Sequence, residues 1–117
     1  MSFRRRQRLR CLFDAQDGLC AICGARMLGG RAFDGRWPGD RDRPTLDHVF
    51  ALRQGGFDGP GNLLAAHARC NEAKAARWPT EAELRQLAVV NGALGWPARE
   101  TPAAYRRWVA GAGGVSA

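Results

Sequence analysis

No apolar run in this chain approaches the roughly 18 residues that a helix needs to span a bilayer. The opening stretch Met-Ser-Phe-Arg-Arg-Arg-Gln-Arg also lacks the apolar centre of a signal peptide. Membrane insertion and secretion are therefore not expected, and the expected compartment is the cytoplasm. Acidic residues are sparse, 11 against 18 Lys+Arg, for a net charge of +7 carried mainly by Arg. That balance suggests nucleic acid, because the guanidinium fork matches phosphate oxygens; a merely solvated basic surface is the alternative. Cysteine is limited to four residues. In a reducing compartment they read as metal ligands or buried thiols rather than disulfides. There is no internal repeat and no low-complexity domain.

With 117 residues, a single domain spanning 1–117 is expected. A core of that size is modest, so a structural metal would help it. Residues 3–16 are helix-like and basic, with Phe3, Leu9, Leu12 and Phe13 as apolar contacts and Asp17-Gly18 as the stop. Leu19 to Gly24 has the shape of a metal knuckle. Residues 28–44 are rich in Gly, Pro, Arg and Asp and read as a loop or weak hairpin. Thr45–Phe50 reads as a strand, 54–61 as a loop, and Asn62-Leu-Leu as a short return strand. Ala65–Ala76 is rich in helix formers. Thr80 and Glu83 form a capping-box pattern opening a helix that Asn91-Gly92 ends. Thr101-Pro102 starts a last helix to about Val109, and Gly111 onward is a frayed tail. The Trp residues at 37, 78, 96 and 108 are assigned to the core, with Trp37 in its loop as the exception.

Two sets of side chains carry chemistry. Cys20-Ala-Ile-Cys23 puts two thiolates on one turn, and His67 and Cys70 are three apart at a helix start. If the hairpin between them folds the pairs together, they make a structural zinc site. The alternative is buried thiols and an ordinary surface histidine. A redox role for Cys-x-x-Cys is disfavoured because no thioredoxin-like βαβ pattern surrounds it. Cys11 reads as a small buried residue.

The second set is hydrolytic. His48 has the intrinsic pKa of a general base. Asp47 and Asn71 offer hard oxygen donors suited to Mg²⁺ or Mn²⁺, which would bind phosphate and leaving oxygen. Asp47 and His48 are consecutive on a strand, so their side chains should diverge unless a bulge or twist presents both to one site.

The pattern Cys20-x-x-Cys23, Asp47-His48, Asn62 and Cys70-Asn71-x-x-Lys74 resembles the HNH endonuclease family over residues 4–76. The resemblance implies an α+β protein with a ββα-metal (His-Me finger) core, a structural zinc site and flanking helices, residues 80–110 forming a C-terminal helical extension. By the same likeness His48 activates water, Asp47 and Asn71 hold one divalent cation (Mg²⁺ or Mn²⁺, with Ni²⁺ or Zn²⁺ as substitutes), and Asn62 braces the hairpin and helps orient His48. Asn71 stands where His is the commoner motif residue, and His67 where Cys is commoner. Small proteins of this kind occur in phages and prophages beside packaging genes, so double-stranded DNA and packaging proteins are the implied partners, with a monomer expected and a dimer left open. Arg53, Arg69 and Lys74 lie near the motif and are candidate phosphate contacts, as are Arg4, Arg5, Arg6, Arg8 and Arg10 on the first helix. Solvated surface roles are the alternative for each. The competing functions are a catalytically idle zinc module that binds DNA or protein, and a ribonuclease on the same scaffold.

Overall fold

The computed structural model describes residues 2–29 and 41–116, with backbone alone for 112–116. Among the described residues the elements in order are α1 (Phe3–Ala15), β1 (Pro44–His48), a single 3-10 turn (Leu52–Gln54), β2 (Leu63–His67), α2 (Ala68–Lys74), α3 (Glu81–Leu94) and α4 (Ala103–Ser116). The fold is a small α+β domain around one two-stranded antiparallel sheet. Trp37 and most of the expected 28–44 loop lie outside the described residues. Among the described residues no helix is long and apolar enough to cross a membrane.

β1 and β2 pair without a bulge, from Pro44 opposite His67 to His48 opposite Leu63. Every residue of β2 is buried, because α1, α2 and α3 all pack against it. Leu9 and Leu12 of α1, Leu63 and Leu64 of β2, and Leu87 and Val90 of α3 meet in the core. The free edge of β2 is completed by a side chain. Buried Gln16 donates to the Ala65 carbonyl at 2.9 Å and accepts from the Ala65 N–H at 2.7 Å, imitating a neighbouring strand.

Several boundaries differ from the sequence expectation. Ala65 and Ala66 belong to β2 rather than to the following helix, which covers only Ala68–Lys74. Pairing with Thr45 and Leu46 overrides the helix propensity of alanine. Helix α3 runs through Gly92, whose missing side chain would meet only open space, and ends at left-handed Gly95. Asn91 does not cap it; its side chain is buried and donates to the Gly61 carbonyl. Thr80 and Glu83 do form the full capping box. The last helix continues to Ser116 where a frayed tail was expected from Gly111. Phe3 is 70% exposed and is no core contact, and Cys11 is exposed rather than buried. Trp78 and Trp96 are half-buried, whereas Trp108 is exposed and lies in an aromatic row with Tyr105 and Trp78.

Candidate functional site

The knuckle at residues 20–25 is a tight hairpin. The Cys20 N–H donates to the Ala25 carbonyl, the Gly24 N–H to the Cys20 carbonyl, and Gly24 takes φ +79°, which glycine adopts without strain. Pairing of the two strands carries His67 to the end of β2 and Cys70 into the first turn of α2. The ligand atoms of Cys20, Cys23, His67 and Cys70 then lie within 4.8 Å of one another. Such a set could hold a metal such as zinc.

The groups that surround these four side chains also suit a metal. His67 Nε2 lies 2.9 Å from the Arg26 carbonyl, which can only accept, so Nε2 carries the proton. In a neutral ring the lone pair then lies on Nδ1, 3.3 Å from Cys23 Sγ and 3.7 Å from Cys70 Sγ. Backbone N–H groups of Ile22, Cys23 and His67 point at Cys20 Sγ. Burial pushes the Cys70 thiol up to about 12, helped by hydrogen bonding to Cys23. Burial acts in the same direction on Cys23, but the Ala25 N–H and the other two thiols outweigh it and hold Cys23 below its ordinary value. In the metal-free cluster Cys70 therefore resists ionisation. A bound cation would supply the charge that lets it ionise.

The hard-donor set comes together differently. Thr45 and Asp47 lie on the strand face toward α2. Both Asp47 oxygens accept from Lys74 Nζ at 2.9 Å, and the same ammonium donates to the carbonyls of His48 and Val49. Lys74, the chain's only lysine, is buried and so is Asp47. Burial pushes the Asp47 carboxyl above its ordinary range, against the pull of the Lys74 ammonium. Lys74 is thus an internal clamp between β1 and α2 and does not reach out to a phosphate. The Asn71 amide donates to Thr45 Oγ1 and to the Leu46 carbonyl. A divalent cation at Asp47 would have to displace the ammonium, so this donor set does not fit one as it stands.

His48 diverges from Asp47, as consecutive strand residues should. Its side chain is 19% exposed, and Nε2 lies 2.8 Å from Asp58 Oδ1 in the following loop. Asn62 is buried behind that loop. Its side chain accepts from the Phe50 N–H and donates to the carbonyls of Phe50 and Phe57. These bonds tie the exit of β1 to the loop. Gly56 fits there only as glycine, since a Cβ would lie 1.8 Å from the Phe50 carbonyl oxygen.

Of the basic residues, Arg53, Arg4 and Arg5 are exposed, Arg6 is half-buried, and Arg69 is held by Asp42 at 2.6 Å and by Cys70 Sγ. Asp58 and Gln16 were not singled out from the sequence. Asp58 sits in a Gly/Pro loop with no local signal, and Gln16 acts on a strand 49 positions away. No family model, curated protein or solved structure matches the chain. The family likeness accordingly rests on the motif residues alone.

Proposed function

We propose that this protein is an HNH-type endonuclease that hydrolyses phosphodiester bonds in DNA, with His48 as general base on a zinc-stabilised hairpin–helix unit. The observation that supports it is the setting of His48. A partly exposed imidazole at the end of β1 has one nitrogen held by a carboxylate, and Asn62 braces the loop that carries this carboxylate.

In this reading Nδ1 takes a proton from water while the oxygen attacks phosphorus. The bond from phosphorus to the leaving oxygen breaks, and that alkoxide takes a proton from solvent. Arg5 and Arg8 of α1 act electrostatically on Asp58, and in this reading their charge would attract the phosphate. Asp47 holds no cation in this reading, because Lys74 already neutralises that carboxylate.

One observation favours a second reading, a zinc module that binds nucleic acid without cutting it: the Asp47 carboxylate is closed off by Lys74. A single experiment separates the two. Purified protein is incubated with supercoiled plasmid, with and without Mg²⁺ or Mn²⁺, beside an RNA control and a His48→Ala variant. Nicking or linearisation that falls by about 10²–10⁴-fold in His48→Ala, with nucleic-acid affinity retained, is the expected outcome. Binding without cleavage overturns the nuclease reading, and full cleavage by the variant overturns His48 as its base.

A further inference from the structure

We propose that Asp58 is the positioning residue of His48, fixing through its 2.8 Å contact which ring nitrogen carries the proton and which is left to accept one. The inference rests on the nuclease reading for its consequence in catalysis, but the contact itself can be tested without it.

An ionised carboxylate can only accept a hydrogen bond, so Nε2 must be the protonated nitrogen and the lone pair of the neutral ring lies on Nδ1. The described residues give Nδ1 no hydrogen bond. When Nδ1 takes up a proton the ring becomes cationic, and a carboxylate already in contact with Nε2 stabilises that charge without reorganising. An exposed pair of this kind would ordinarily contribute little, because two mobile side chains must be ordered to form it. Here the partner is held from several directions. The Asn62 amide donates to the carbonyl of Phe57, immediately before Asp58, and the Asn62 N–H to the carbonyl of Gly59, immediately after it. The Arg99 guanidinium lies 3.9 Å over the Phe57 ring and donates to the Pro60 carbonyl. Asn62 therefore acts on His48 through Asp58, which gives the bracing asparagine a physical route to the base.

The electrostatic setting agrees. The hydrogen bond with His48, then its charge, and more weakly Arg5 and Arg8, hold the Asp58 carboxyl below its ordinary value.

The test uses the full chain and the variants Asp58→Ala and Asp58→Asn. Asp58 is exposed, so both should fold, which thermal melting checks. Ring-nitrogen NMR shifts of His48 report the tautomer directly, and with two histidines in the chain the assignment is simple. Wild type should show one Nε2–H population above the titration of the ring. Asp58→Asn should keep it, since the amide oxygen still accepts, while Asp58→Ala should give mixed tautomers. In cleavage, kcat should fall by on the order of 10–100-fold in Asp58→Ala with KM little changed, as when the group that holds an imidazole's other nitrogen is removed, and less in Asp58→Asn. An unchanged tautomer in Asp58→Ala, or a loss confined to KM, overturns the proposal. If wild type does not cleave at all, the nuclease reading fails, and the ring spectra alone decide whether Asp58 holds His48.

Discussion

The soft-ligand cluster and the Asp47–Lys74 clamp both join the hairpin to α2, yet they close by different means. At the cluster, four side chains converge on one volume, and the histidine tautomer leaves a lone pair directed at the sulfurs. At the clamp, the chain's only lysine already occupies the position opposite the carboxylate, and every Asp47 oxygen has an ammonium partner. The difference teaches that donor spacing alone does not make a cation site. Which long side chain reaches the donors decides whether an ion is needed there.

The contrast can be broken most forcefully at the cluster. Structural zinc contributes on the order of 10 kcal/mol of apparent binding energy in small domains, so Cys20→Ser should largely unfold the protein. Circular dichroism and elemental analysis check this, with about one zinc per chain expected in protein purified without added metal. A folded, zinc-free wild type would remove the distinction between the two regions.

The clamp should respond less, and in a way that turns it into its counterpart. Lys74→Ala strands a buried carboxylate and should cost about 3–5 kcal/mol in chemical denaturation. Replacing both partners, Asp47→Leu with Lys74→Met, should recover part of that loss, because an apolar pair needs no charge compensation while the His48 and Val49 carbonyls still lose their donor. Mg²⁺ or Mn²⁺ should raise the melting temperature of Lys74→Ala but not of wild type. A cation response in wild type would show that Lys74 yields Asp47 to a metal without mutation.

The smallest effect concerns Glu83, which acts electrostatically on Asp47 from the first turn of α3. Burial raises its carboxyl, but Arg77 and the Thr80 N–H outweigh that and leave it below the ordinary 4.5. A depressed carboxyl pKa contributes stability that is present above the unfolded value and is lost as pH falls through the folded one. Glu83→Gln should therefore cost about 1 kcal/mol at neutral pH, through the capping box and the Arg77 pair, and progressively less below pH 4.5. Denaturation midpoints at pH 7 and in mild acid check the slope.

Much of this arrangement was legible along the chain. The Cys-x-x-Cys turn, the capping box at Thr80 and Glu83, and the α1 stop at Gly18 are encoded by residues a few positions apart. Their geometry follows from local backbone chemistry, so reading them needs no knowledge of what packs against them. The cluster ligands and the brace at Asn62 were legible as a joint pattern, although no one of them was decisive.

Local chemistry along the chain specifies the donors and the turns that present them. Which donors meet is settled by packing between distant segments. Strand pairing drew Ala65 and Ala66 away from the helix their propensity favours. It also set Gln16 against a strand edge 49 residues distant and aimed Asp47 and His48 at different neighbours. The decisive case is Lys74. Along the chain it is a basic residue beside a motif, a natural phosphate contact. Folded, its stem lies in the core, and its ammonium is held there because a buried carboxylate and two backbone carbonyls need it more than solvent does.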